Sequence, residues 1–228
     1  MNVNKTIQKL RGHSANLLTF YLGTVRKYSI LDPMLFSQDV CDKYGARESF
    51  GGFIEIRETL YYGVIQNIAN MFYQYQKTNP SILRIKETIS EDLVAAALKK
   101  NYISEVIPDN EDFLPHYEER KRERTLEFDE HLKALINDVE ALEHDPEMSA
   151  CKSIRDKFTA HLDLQSSGNE YSYPDIATFG IKYGTPKRLL SELRPVIERI
   201  GYVVRGAGFA WDLFDSQNNK MSDGYWSV

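Results

Sequence analysis

The chain has 228 residues, of which 42% are hydrophobic and 27% charged, with a formal net charge of −5. That apolar content fills one sizeable core without staples, while the acidic balance argues against a protein coated with positive charge for gripping duplex nucleic acid. Two cysteines, Cys41 and Cys151, stand far apart with no CxxC pair, so neither a disulfide framework nor a zinc knuckle is indicated and both thiols are expected to be reduced.

The first stretch, MNVNKTIQKL, lacks the apolar centre of a signal peptide, and no later stretch is apolar enough to cross a bilayer; the cytoplasm is the expected compartment. From Thr6 to Tyr28, Ile7, Leu10, Leu17, Tyr21 and Val25 recur at helical spacing, which predicts an amphipathic helix. Pro33 is expected to end it, because proline disfavours helical geometry in the residue before it. Residues 29–52 read as an irregular connector, with room for a short helix over Met34–Tyr44. Phe53 to about Gln76 gives the clearest helical stripe, stopped by Asn79 and Pro80. Ser81 to Glu87 fits a short helix. Ser90 is then expected to cap a further helix that carries Glu91 and Asp92 in its first turn.

Glu111 to Glu143 has the composition of one long helix, buried along Phe128, Leu132, Leu135, Val139 and Leu142 and solvated at its charged start, HYEERKRERTLEFDE. Asp145-Pro146 is an N-cap followed by a first-turn proline, launching a helix through Met148, Cys151, Ile154 and Phe158. QSSGNEYSY reads as a polar loop, and Asp175–Tyr183 as a short helix. Thr185-Pro186 repeats the cap-and-proline signal ahead of a helix to about Val204, in which Pro195 is placed to introduce a kink. The tail, 205–228, carries Trp211, Phe214 and Trp226 and is expected to pack back. Strand-like alternation, fixed repeats and low-complexity linkers are absent. The expectation is one all-α domain over residues 1–228 with about five or six main helices.

One constellation has a chemical reading. Residues 154–163, Ile-Arg-Asp-Lys-Phe-Thr-Ala-His-Leu-Asp, place Arg155 and His161 six residues apart near the end of a helix. At about 100° per residue the two differ by roughly 120° around the axis, so both sit on or beside the apolar side. A guanidinium and an imidazole at the edge of a helical core need partners, an anion or a second copy of themselves. Arginine offers a rigid fork for phosphate and imidazole titrates near neutral pH, a combination suited to phosphodiester chemistry.

Arg155-Asp156 followed by His161 resembles the HEPN superfamily pattern of arginine, polar residue, short spacer and histidine, and RDKFTAHLD is similar to its abortive-infection AbiU-like branch. The resemblance implies a helical bundle whose two protomers bring their motif helices together, as a homodimer, around a shared cleft. It implies a metal-independent endoribonuclease, with no cofactor, in a phage-defence or toxin–antitoxin setting with an antitoxin or regulatory protein as a further partner. His161 would then move a proton during attack by the ribose 2′-hydroxyl, and Arg155 would stabilise charge on the phosphorane. Asp156 would orient the arginine or contact the partner helix, and Lys157 would attract RNA phosphate. Asp163 stands where some toxin-type members resemble one another in carrying a tyrosine that a nucleotidyltransferase modifies; here that tyrosine is missing. The rival expectation is a non-catalytic HEPN-like interaction or nucleotide-binding module in which the motif supports dimerisation.

Other residues have plainer readings. His116, Glu119 and Glu123, or Glu127 and His131, share helical faces, but such spacing is common by chance in so charged a helix and no metal site is expected. The run Arg120–Arg124 reads as a solvated face, His13 and Ser14 as helix surface, and Cys151 as a small core residue. Gly51-Gly52 is a joint, since no glycine-rich phosphate loop surrounds it.

Overall fold

The computed structural model describes residues 2–45, 48–73, 80–103, 114–159, 165–167, 170–172 and 176–227. Asn2 opens the first helix by accepting a hydrogen bond from the Lys5 N–H at 3.2 Å. Helix α1 (Val3–Phe36) then buries Ile7, Leu10, Ser14, Leu17, Tyr21, Thr24, Tyr28 and Leu31 along one stripe. Each large apolar member of that stripe contributes about 1.5–3 kcal/mol on burial. The 3.6-residue period therefore supplies the longest helix with most of its stability. Ser14 belongs to this buried stripe, not to the surface where its polarity would place it.

Contrary to expectation, α1 continues through Pro33; a second helix, α2 (Gln38–Gly45), follows after the extended Ser37, close to the short helix allowed over Met34–Tyr44, so most of 29–45 is helical. Proline removes the N–H that would have bonded the Ser29 carbonyl. That carbonyl instead accepts from the Ser222 hydroxyl at 2.7 Å. Ser222 lies on the last helix, α9 (Trp211–Trp226), which packs along α1 and makes most of the C-terminal tail helical.

Helix α3 (Phe50–Phe72) lies against α1 and buries Tyr61, Val64, Ile65, Ile68, Ala69, Met71 and Phe72. Ser81 caps α4 (Ile82–Ile89), accepting from the Arg84 N–H at 3.2 Å. Ser90 does not cap α5 (Asp92–Ile103); its hydroxyl turns back to the Lys86 carbonyl of α4 at 2.8 Å. Helix α6 (Leu114–Glu143) runs against α5 and α8 (Thr185–Arg205), with Phe128, Leu135, Val139 and Leu142 buried. Helix α7 (Pro146–Ile154) packs on α3. Nine α-helices thus stand among the described residues, where five or six main ones were expected: α2 and α4 answer to the short helices allowed over Met34–Tyr44 and Ser81–Glu87, and α9 comes from the tail.

QSSGNEYSY is not wholly loop. Gln165–Ser167 (β1) pairs antiparallel with Glu170–Ser172 (β2) in the register Gln165 with Ser172 and Ser167 with Glu170. The apolar core is one cluster running through α1, α3 to α8 and Trp211 of α9, with a small second cluster of Met34, Val40 and Phe53 where α1, α2 and α3 meet. No helix among the described residues is long and apolar enough to cross a membrane.

Candidate functional site at the end of helix α7

Helix α7 is started by strong local chemistry. Asp145 accepts from the N–H groups of Glu147 and Met148 at 2.8 and 3.0 Å, and Pro146 occupies the first turn. Its fixed φ suits a helix start, and its missing N–H is one the helix would have left unbonded anyway. Arg188 of α8 clamps this N-terminus through Asp145 at 2.8 Å and through Glu147, and it also holds Glu192. Thr185 is the first residue of α8 rather than its cap; its hydroxyl donates to Glu147 at 2.8 Å, joining the two helix starts.

At its other end α7 passes into a π-turn, Arg155–Thr159, which begins on the first residue of the motif. In such a turn each N–H reaches five residues back, and single π-turns within helices are frequent at functional sites. The wider turn rotates less per residue than an α-helix, so α-helical wheel positions do not hold over Arg155–Thr159.

Arg155 is only 4% exposed. One edge of its guanidinium faces the C-terminus of α3, where Nη1 donates to the carbonyls of Ala69 at 3.3 Å and Tyr73 at 3.5 Å and to Asn70 Oδ1 at 3.4 Å. A buried cation at the negative end of a helix dipole is well compensated, here as a second donor to the Ala69 carbonyl, which also accepts the Tyr73 N–H at 2.8 Å. The other edge meets Asp156: Nε donates to Oδ1 at 2.8 Å and Nη2 lies 2.8 Å from the same oxygen. Asp156 is shared, because Lys152 Nζ lies 3.2 Å from Oδ2. Partial burial works against ionisation of Asp156, but the hydrogen bonds from Arg155 and Lys152 outweigh it and hold the carboxyl below its ordinary range. Asp145 behaves alike, burial being outweighed by Arg188 and the two capping N–H groups.

Both carboxylates have folded-state pKa values below the unfolded value of about 4. Their contribution is therefore complete above that pH and is lost as the pH falls through the lower folded values. Urea denaturation midpoints should be level from neutrality to about pH 5 and decline below it. An Asp156→Asn, Asp145→Asn double variant should be less stable at neutrality and lose less on acidification; an unchanged acid limb would show that these two groups are not responsible.

Lys157 is exposed, and its ammonium lies 5.2 Å from the centre of the Phe179 ring, on the 3-10 turn Ile176–Phe179. His161 and Asp163 lie outside the described residues. The structure thus brings Arg155 and Asp156 together and sets Lys157 on the solvent side. The sequence reading missed Asn70 and Tyr73, which hold the arginine, and Lys152, whose position four residues before Asp156 was the available signal. Cys151 is buried one turn earlier; burial first, then the carboxylates of Glu147 and Asp145, push its thiol up to about 12, which removes it as a nucleophile. Among the described residues no group of three His, Cys, Asp or Glu side chains is arranged to hold a metal ion, and His131 stacks on Tyr202 at 4.6 Å.

With this geometry in place, comparison with known protein families matches residues 7–223 to the HEPN family described as AbiU2. The chain belongs to the AbiU2 family of HEPN domains. No curated protein and no solved structure matches it significantly. The AbiU2 match runs from the first turns of α1 to the last turn of α9, so the motif on α7, the α3 terminus that anchors it and the tail helix all fall within the family's extent.

Proposed function

We propose that this AbiU2-family protein is a metal-independent endoribonuclease of a phage-defence or toxin–antitoxin system, acting as a homodimer whose two motif helices line one cleft. His161 moves the proton in attack by the ribose 2′-hydroxyl, leaving a 2′,3′-cyclic phosphate and a 5′-hydroxyl. An antitoxin or regulatory protein is the expected further partner.

The observation that supports this most directly is the two-edged placement of Arg155. The Nη1 edge is fixed to α3, while the Nε/Nη2 edge holds the carboxylate of Asp156, which Lys152 also holds. The single carboxylate oxygen held by both nitrogens of the fork occupies a position that a phosphate oxygen would take. An incoming phosphodiester displaces Asp156 toward Lys152, and the pre-anchored guanidinium then faces the charge that develops in the transition state without further reorganisation. Asp156 in this reading guards the arginine until substrate arrives, and Lys157 supports the strand from the solvent side.

The test is cleavage of total cellular RNA by purified protein in the presence of a chelator, with end-group analysis and sedimentation on the same sample. Cyclic-phosphate ends from a dimer are expected. RNA left intact under all conditions, or products requiring added metal, would remove the proposal. The rival, a non-catalytic module in which the motif maintains architecture, is favoured by the near-complete burial of Arg155; the variants considered in the Discussion separate the two.

A further inference from the structure

The turn that follows the 3-10 turn is built to hold two side chains in solvent. Gly180 takes φ of 74°, a left-handed conformation that favours glycine. Ile181 is buried as an anchor. The Lys182 N–H donates to Thr185 Oγ1 at 3.1 Å, and its carbonyl accepts from the hydroxyl of buried Tyr61 at 2.9 Å. With both backbone groups of Lys182 pinned, the side chains of Lys182 and Tyr183 stand exposed on a fixed frame; Tyr183 is 48% exposed. Its ring meets Tyr61 edge-on at 5.3 Å.

This turn adjoins the motif, since Phe179, four residues before Tyr183, lies beneath the Lys157 ammonium. Lys152 is paired with Asp156 and Arg57 with Glu58, but Lys157 and Lys182 have no carboxylate partner among the described residues. On a chain of net charge −5, these two lysines stand near an exposed, rigidly mounted tyrosine whose ring also has the Arg57 guanidinium 5.8 Å from its centre. Cations interleaved with an aromatic platform suit a single strand: the lysines take phosphates and the ring takes an unstacked base. A duplex keeps its bases stacked on one another and offers such a ring nothing.

We infer that Lys157, Lys182 and Tyr183 form the surface that receives single-stranded RNA next to the π-turn that begins at Arg155. This rests on the ribonuclease reading, but its test does not depend on cleavage. The probe is a fluorescent, fully 2′-O-methylated single-stranded oligonucleotide, which 2′-hydroxyl attack cannot cleave, followed by anisotropy over a range of salt. The wild-type protein should bind it more tightly than the corresponding duplex. Lys157→Ala with Lys182→Ala should weaken binding about tenfold or more and lower the log–log salt slope by roughly 0.7 for each lost phosphate contact. Tyr183→Leu should weaken it about tenfold, with Tyr183→Phe retaining affinity as the check that the turn is intact. Lys220→Ala, at an exposed position of α9, should change nothing.

Binding unaltered by the lysine pair, failure of the wild type to bind, or a duplex preferred to the single strand would each overturn the inference. So would polyglutamate binding as tightly while Tyr183→Leu has no effect, an outcome that marks a surface for acidic protein. Binding with the expected variant pattern but no cleavage of ordinary RNA would leave this surface standing and remove the ribonuclease reading alone.

Discussion

Arg155→Ala should destabilise the protein by roughly 2–4 kcal/mol, because it removes several hydrogen bonds from a buried charged donor and leaves a cavity at the end of α3. The residues concerned are Ala69 and Tyr73 at the end of α3, the Asn70 side chain, and Asp156, which keeps only Lys152. For a chain of this size that corresponds to a fall in melting temperature of about 5–15 °C. Arg155→Lys should recover little, since an ammonium cannot reach α3 and Asp156 at once as the planar fork does. Thermal melts of the two variants decide this. A melting temperature within a degree of wild type would show that the α3 contacts carry no stability and that the burial of Arg155 has some other origin. Because the fold itself is weakened in this variant, loss of cleavage on replacing Arg155 would say nothing by itself about contact with substrate.

Where both halves of a signal are adjacent in sequence, the structure agrees with the sequence. Asp145-Pro146 starts α7 because cap, proline and first-turn acid act within four residues of one another. The stripes of α1, α3 and α8 were readable for the same reason, as periodicity survives any tertiary arrangement that buries one face. Pro33 was not readable: the group that takes up the freed Ser29 carbonyl, Ser222, is 193 residues from Ser29. Ser90 fails differently, because a hydroxyl between two helices can serve either, and only the approach of the chain selects the Lys86 carbonyl. Helix α9 is supported from outside itself, by packing along α1 and by the side-chain links of Asp215 to Arg194 and Trp211 to Glu198 of α8. Its alternation of Asp, Ser, Gln and Asn with Trp211 and Phe214 gives a weak stripe in isolation.

The candidate site divides in the same way. Residue types and spacing identified the motif helix and, through resemblance, its family, which the match over residues 7–223 establishes. What the spacing could not convey is the π-turn at Arg155, since a helical wheel assumes the geometry that the turn abandons. Nor could it show that Arg155 is anchored to a helix end 82 to 86 residues earlier in the chain. The arginine that looked like a free anion receptor is half structural, and that is why one motif supports both a catalytic and an architectural reading.

His161→Ala is the variant on which those readings diverge most. Under the ribonuclease reading it abolishes a proton transfer, which general acid–base catalysis values at about 10²–10⁴-fold in rate. Cleavage under chelation should fall by that factor, while melting temperature and dimer affinity stay at wild-type values. Under the architectural reading stability or dimer affinity falls instead, and no RNA-dependent property changes. The pH–rate profile adds an argument that a structural role cannot imitate. Two histidines at one dimeric cleft, one accepting the 2′-hydroxyl proton and its partner protonating the leaving 5′-oxygen, require opposite protonation states, so the wild-type profile should be bell-shaped around the imidazole range, about pH 6–7. Mixed dimers carrying one intact His161 should lose one limb of that bell. A profile with the same two limbs in the mixed dimer would show that the titrating groups lie elsewhere and would withdraw His161 from the chemistry.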